Sequence, residues 1–179
     1  MPLIFLIGGA RSGKSELALR LAHEQQAPVV FVATGEAGDS EMAARIDHHR
    51  RERPPSWQTI EEPLELHETL AGVGEQSCVV IDCLTLWTAN ALERLGAADT
   101  EAQAAAAASN AAARHGLTIA VSNEVGLGLV PDNRLGRAYR DLLGRVNALW
   151  AEHAEHAYLL VAGRALPLTN RDAITELLR

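Results

Sequence analysis

The chain has 179 residues, 47% of them apolar, and a formal net charge of −7 at pH 7. That length fits one domain spanning residues 1–179, and the acidic balance argues against a general nucleic-acid or anionic-membrane binder, which needs a broad basic face. No apolar run reaches the roughly 18 residues of a membrane span, the opening MPLIFLIGG carries no basic leader or cleavage site, and Cys78 and Cys83 read as buried thiols, so a soluble, cytoplasmic protein is expected.

An aliphatic strand is predicted at Leu3–Ile7, and GGARSGKS, Gly8 to Ser15, follows it and opens a helix over Lys14–Gln25. Strand, G-x-x-x-x-G-K-S and helix in this order form a phosphate-binding loop, whose amides and helix N-terminus cradle phosphate oxygens. Gly8, Gly9, Ala10, Arg11, Ser12, Gly13, Lys14 and Ser15 are therefore candidate nucleotide contacts. Lys14 is expected to act catalytically on the β- and γ-phosphates, and the Ser15 hydroxyl to ligate Mg2+. The composition points the same way. Against fifteen arginines there is one lysine, Lys14. A planar guanidinium does not replace a compact ammonium between phosphates.

A second strand is predicted at Val29–Ala33. From it VATGEAGDSEMAARIDHHRRERPPSWQTIEEP emerges at the carboxyl edge of the sheet, where ligands bind in open α/β folds. Asp39 or Ser40 is placed to cap a helix over Ser40–Arg51, with Glu41 in its first turn. On a helical wheel Met42 and Ile46 share a face, His49 falls within about 20° of Met42, and His48 lies about 240° round. His49 reads as the packed histidine and His48 as the projecting one. Arg50, Arg51 and Arg53 follow before Pro54–Pro55 must stop the helix. Guanidinium groups there suit a triphosphate, and a neutral imidazole can attack phosphorus. A solvated, charge-rich helix end fits the same residues.

The strand Cys78–Ile81 runs into Asp82, a carboxylate that can share the magnesium ion with Ser15. Helices are predicted over Leu84–Leu95 and Ala98–His115, the latter with a surface-type alanine segment at Ala102–Ala113. After a strand at Leu117–Val121, SNEVGLGLVPDNRLGR opens toward the ligand edge. Asn123 and Glu124 are candidates to position substrate or a magnesium-bound water, or they are plain caps, and Gly126 and Gly128 would allow a mobile flap. A helix over Arg134–His153 places Leu135, Tyr139, Leu142, Val146 and Leu149 on one core-facing stripe, and a strand at Tyr158–Val161 follows. Apolar strands alternating with helices predict an α/β fold of the P-loop NTPase kind, a mostly parallel sheet with helices on both faces.

GGARSGKS, the long HH-bearing segment, IDCLTLWTANAL and SNEVGLGLVPDNRLGRAYRDLLGRVN, in this order, resemble the bifunctional adenosylcobinamide kinase / adenosylcobinamide-phosphate guanylyltransferase family of cobalamin biosynthesis. The resemblance implies a RecA-like P-loop fold, a homotrimer, and covalent guanylylation of the first histidine of the pair, His48, by GTP. It implies nucleotide contacts from the loop, from Ala33, Thr34 and Gly35, from Arg50, Arg51, Glu52 and Arg53, and from Glu61 and Asp82, with Glu62 as a register alternative. The implied substrates are GTP or ATP, with Mg2+, and adenosylcobinamide or its phosphate. Ala102–Ala113 and the terminal TNRDAITELLR lie outside the resemblance. Two other readings fit the loop: a small-molecule kinase with structural histidines, and a RecA-like ATPase acting on a polymer or partner.

Overall fold

The structure is a computed structural model describing residues 3–51 and 53–170. Among these residues seven strands form one sheet: β1 (Leu3–Gly8), β2 (Val29–Ala33), β3 (Gln58–Glu61), β4 (Cys78–Asp82), β5 (Thr118–Asn123), β6 (His156–Val161) and β7 (Arg164–Pro167). Their spatial order is β3-β2-β4-β5-β1-β6-β7, and every pairing is parallel except β6 with β7. The parallel strands all point one way, so Gly8, Ala33, Glu61, Asp82 and Asn123 end at one edge. Among the described residues, six helices accompany them: α1 (Lys14–His23), α2 (Ser40–Arg51), α3 (Leu66–Gly72), α4 (Leu84–Leu95), α5 (Ala97–Ala113) and α6 (Arg134–His153).

The strands alternate their side chains between two apolar layers, as strands covered on both faces must. Phe5, Val32, Val79 and Ile81 pack against α3, α4, α5 and α6, with Trp87, Leu142 and Trp150 fully buried among them. Leu6, Phe31, Val80, Ile119 and Val121 face the other way, onto Ala18 and Ala22 of α1. The alanine segment is a helix, but it is not merely superficial. Ala104, Ala107, Ala108 and Ala111 of α5 are completely buried, a spacing that lets α5 approach its neighbours closely.

The predicted α6 stripe needs one correction. Leu142 and Val146 are buried and Tyr139 and Leu149 half-buried, but Leu135 is 71% exposed. It sits in the first turn beyond the edge of the core, just after the Asn133 side chain caps the helix by accepting from the Gly136 amide at 2.7 Å. Pattern alone also gives no sign of β3, α3 and β7. Both strands are short and lie at the sheet's two edges, β7 with all four residues exposed, so neither carries an apolar alternation.

Arg114, directly after α5, is buried and holds a turn together. Its guanidinium donates to the carbonyl oxygens of Leu70 (3.0 Å), Val73 (3.1 Å), Gly74 (2.8 Å) and Ser77 (3.2 Å). These lie at and beyond the end of α3, where helical carbonyls lack intrahelical partners.

Candidate functional site

The loop between β1 and α1 is held from behind. The Gly163 amide donates to the Ser12 carbonyl at 3.0 Å, and the Glu124 amide to the Gly8 carbonyl at 3.1 Å. Gly13 adopts φ +96° as it leads into α1, a conformation that favours glycine. Lys14 is buried, its ammonium donating to the Gly9 carbonyl at 2.7 Å and the Ser12 hydroxyl at 3.3 Å. Burial pushes its pKa down, while Cys83 and Asp82 pull it up.

In front of the loop lies a cleft of about 600 Å³. Its floor is the loop from Ala10 to Ser15, with Ala33, Gly35, Asp82 and Asn123 at the strand ends. Its far wall is α2, through Met42, Ile46 and His49, with Arg53 just beyond. Asp82 is the electrostatic centre. Burial drives its carboxyl pKa up, and a hydrogen bond from Ser15 and the charges of His49, Arg53 and Lys14 draw it back. The Arg53 guanidinium lies 3.7 Å from the centroid of the Phe31 ring. Burial lowers its pKa, opposed by Asp82.

Of the residues expected at the site, the loop from Ala10 to Ser15 with Ala33, Gly35, Arg53 and Asp82 does line one cleft. Gly8 and Gly9 shape the loop without reaching that wall. Thr34 is fully buried, and its hydroxyl is occupied, donating to the Cys83 carbonyl at 2.6 Å and accepting from the Cys83 amide at 2.9 Å. It ties β2 to the end of β4. Arg50 pairs with Glu61 and, at 3.8 Å, with Asp47 on the exposed flank of α2. Arg51 is exposed there too, and Glu52 lies outside the described residues. The register alternative Glu62 is engaged locally, its Oε1 accepting the amides of Leu64 (2.9 Å) and Glu65 (2.8 Å) ahead of α3. Asp39, not Ser40, caps α2, accepting from the Met42 amide at 2.7 Å.

The histidines separate as the wheel predicts, with one difference. His48 is exposed and His49 half-buried, their ring centroids 6.0 Å apart. His49, however, packs on the cleft rather than into the core, because the Met42–Ile46 face of α2 is itself the cleft wall.

Sequence reasoning missed Thr85, Leu86 and Asn90. The first two line the cleft, and the Asn90 carboxamide donates to the carbonyls of Thr34 (2.9 Å) and Pro63 (3.3 Å). Thr85 and Asn90 are polar positions on a helix of apolar character, the one signal that could have singled them out. Among the described residues, no group of three or more acidic, histidine or cysteine side chains could hold a metal, and no helix is long and apolar enough to cross a membrane.

A glycine-rich loop at the carboxyl end of a parallel strand, with a buried lysine and a facing aspartate, defines a P-loop NTPase. Solved structures agree on the fold alone. One is an ATPase from the type III secretion system of pathogenic bacteria, with TM-score 0.56 and 13% identity over 98% of this chain and 53% of that one. Another, from Pyrococcus horikoshii, has TM-score 0.55 and 8% identity over 93% of this chain and 85% of its own.

The family model for "cobinamide kinase / cobinamide phosphate guanyltransferase" matches residues 4–168, and the chain belongs to that family. Its relatives include the bifunctional adenosylcobalamin biosynthesis protein CobP of Pseudomonas aeruginosa, 44% identical over 91% of this chain and 95% of the relative. CobU of Escherichia coli, with the same descriptive name, is 37% identical over 90% of this chain and 96% of its own length.

Proposed function

We propose that this enzyme phosphorylates adenosylcobinamide with ATP or GTP and then transfers GMP from GTP through a histidine–GMP intermediate to give adenosylcobinamide-GDP. The observation that carries the reading is a single cleft with the phosphate loop on one side and the histidine-bearing helix α2 on the other. One bound triphosphate can thus meet two kinds of chemistry.

In the first reaction a substrate hydroxyl oxygen attacks the γ-phosphorus, the bond to the bridging oxygen breaks, the nucleoside diphosphate leaves, and the hydroxyl proton passes to solvent. Lys14 supplies positive charge to the transferring group, and the loop amides hold the triphosphate in place. Ser15 and Asp82 would hold Mg2+. Two hydrogen-bonded oxygen donors suit an ion that keeps most of its waters, and a buried carboxylate raised in pKa gains from a nearby cation. When bound, that ion neutralises charge on the β- and γ-phosphates.

In the second reaction an imidazole nitrogen attacks the α-phosphorus of GTP and pyrophosphate leaves. A phosphate oxygen of adenosylcobinamide phosphate then displaces the imidazole, forming the pyrophosphate linkage and breaking the phosphorus–nitrogen bond. His48 is the nucleophile in this reading, on the likeness of the HH block. Its exposed position means that α2 must turn, or the ligand must reach past the helix edge, for attack. A second reading, with His49 as nucleophile, is favoured by its place on the cleft wall.

A homotrimer fits the exposed apolar loop after β5, with Leu127 (84% exposed), Leu129 (97%) and Val130 (66%), and Leu135 following in the first turn of α6. Such a patch suits burial against another subunit. A cytoplasmic location accords with biosynthetic work on phosphorylated substrates.

The test is incubation with α-labelled GTP, comparing His48→Ala and His49→Ala beside a kinase assay. The expected result is acid-labile label on wild type and His49→Ala, none on His48→Ala, and kinase turnover in all three. Label on His48→Ala with none on His49→Ala transfers the role to His49. Equal labelling of both variants removes the covalent mechanism from this pair.

A further inference from the structure

Strand β5 stands between β1, which carries the phosphate loop, and β4, which carries Asp82. Asp82 is in register with Val121, and Gly8 with Asn123. So β5 runs two residues further toward the ligand edge than the Asp82 strand. Val121 and Asn123 share a face of β5, and both line the cleft beside Lys14 and Asp82.

Asn123 is held with unusual completeness for the last residue of a strand. Its amide donates to Thr85 Oγ1 at 2.7 Å, and its carbonyl accepts from Asn147 Nδ2 at 3.1 Å. Asn147 is itself 6% exposed, and its Oδ1 accepts the Ser122 hydroxyl at 2.6 Å. Thr85 is fixed in turn, its carbonyl accepting from the Tyr139 hydroxyl at 3.0 Å. Thr85 of α4 and Asn147 of α6 therefore hold the Asn123 backbone directly, and Tyr139, two turns before Asn147, holds Thr85. A buried polar network is costly unless every member is satisfied, and here the satisfied members fix the direction of one side chain. The Asn123 carboxamide itself makes no hydrogen bond to the described residues. Asn123 lines the cleft, and among the described residues nothing occupies its carboxamide donors.

We propose that Asn123 is a catalytic residue of phosphoryl transfer, its carboxamide donating to an oxygen of the transferring γ-phosphoryl group, with Thr85, Asn147 and Tyr139 as positioning residues. The step is the one already written: the substrate oxygen bonds to the γ-phosphorus as the bridging bond breaks. Asn123 neither gains nor loses a proton. A neutral donor adds nothing to the net charge that holds the triphosphate, which Lys14, Arg53 and the loop amides supply. Its hydrogen bond strengthens as charge shifts in the transition state, so its loss falls on kcat rather than on KM.

The inference depends on the kinase activity of the family and not on either histidine, so the two can fail separately. The experiment measures steady-state kinase kinetics on adenosylcobinamide with GTP for Asn123→Ala and Asn147→Asp, beside labelling by α-labelled GTP. For Asn123→Ala the expected result is a kcat about 100-fold lower, with KM for GTP within about threefold of wild type. Protein labelling, which occurs at the α-phosphate, should persist. Asn147→Asp keeps the acceptor for Ser122 but removes the donor to Asn123, and should lower kcat on the order of tenfold, again without raising KM. Asn123→Ser serves if the alanine variant loses its thermal transition. A kcat within twofold of wild type for Asn123→Ala, a loss confined to KM, or a parallel fall of labelling and kinase turnover each overturns the assignment. Wild-type turnover by Asn147→Asp overturns its positioning role.

Discussion

The motif opens with two glycines, and the structure gives them opposite obligations. A Cβ on Gly8 would stand 2.3 Å from the Leu160 carbonyl oxygen and 3.0 Å from Ser12 Oγ. The first of these is backbone, held in register with Gly8 at the end of the β1·β6 pair. To accommodate a methyl, the strands must part there by roughly 1 Å in a close-packed interior. Overpacking of this kind costs about 1–3 kcal/mol. For a chain of this size that lowers Tm by roughly 3–10 °C. The same displacement moves Ser12 and the Gly8 carbonyl that accepts from Glu124, so the loop amides lose their alignment and GTP affinity falls. Gly9 has nothing within 4 Å of its Cβ position and no left-handed φ. Gly9→Ala should keep Tm within about 2 °C of wild type. Calorimetric unfolding with and without GTP, together with GTP titration, checks both variants. Wild-type Tm and affinity for Gly8→Ala, or equal damage from Gly9→Ala, would refute the reasoning.

Asp82→Asn should separate stability from activity. Burial raises the folded-state pKa of Asp82, so at pH between the unfolded and folded values the folded state holds a proton that the unfolded chain has released. Its contribution is greatest below the ordinary aspartate value of about 3.9 and is lost as pH rises through the raised folded value. At pH 8 the ligand-free variant should therefore melt above wild type, the gap narrowing toward acid, while kinase activity is lost; a lower Tm at pH 8 contradicts this. Arg114→Met leaves four carbonyl acceptors without their charged donor, and urea unfolding should show a loss of about 3–5 kcal/mol. KM for GTP in the folded variant should be unchanged, and a loss below about 1 kcal/mol means that water satisfies those carbonyls.

The parts of the fold that the sequence reveals are those whose physics is local. Val29–Ala33 and Cys78–Asp82 are short and apolar on both faces, so their place inside a covered parallel sheet follows from composition. The edge strands β3 and β7 bury little, and their pairing partners, β2 and β6, decide that they exist. The phosphate loop is legible because its function needs contiguous residues. The clamp on Asn123 is not, because Thr85, Ser122, Tyr139 and Asn147 come from three separate elements and each alone is an unremarkable polar residue. Glu61 and Glu62 show the same limit. Adjacent and identical in type, they part only when α3 claims one for its leading amides and Arg50 claims the other.

Helix α2 shows where periodicity misleads. The spacing of Met42, Ile46 and His49 identifies the inward face correctly, but an inward face can meet a core or a ligand, and 3.6-residue periodicity is blind to which. Burial separates the two cases. The core-facing helices α4 and α6 each sink a tryptophan completely, whereas no described side chain of α2 is more than partly buried. The anchors of α2 include the half-covered Met42–Ile46 stripe, the Asp39 cap, and an exposed ion pair from Arg50 to Glu61. Exposed pairs of that kind contribute about 1 kcal/mol or less. The helix that carries both histidines is therefore attached chiefly through the wall of the cleft, with little apolar burial to lose if it reorients. A ligand filling the cleft would add contacts to that same face. The element that the proposed covalent step would use is thus also the one whose position the occupant of the cleft can most readily set.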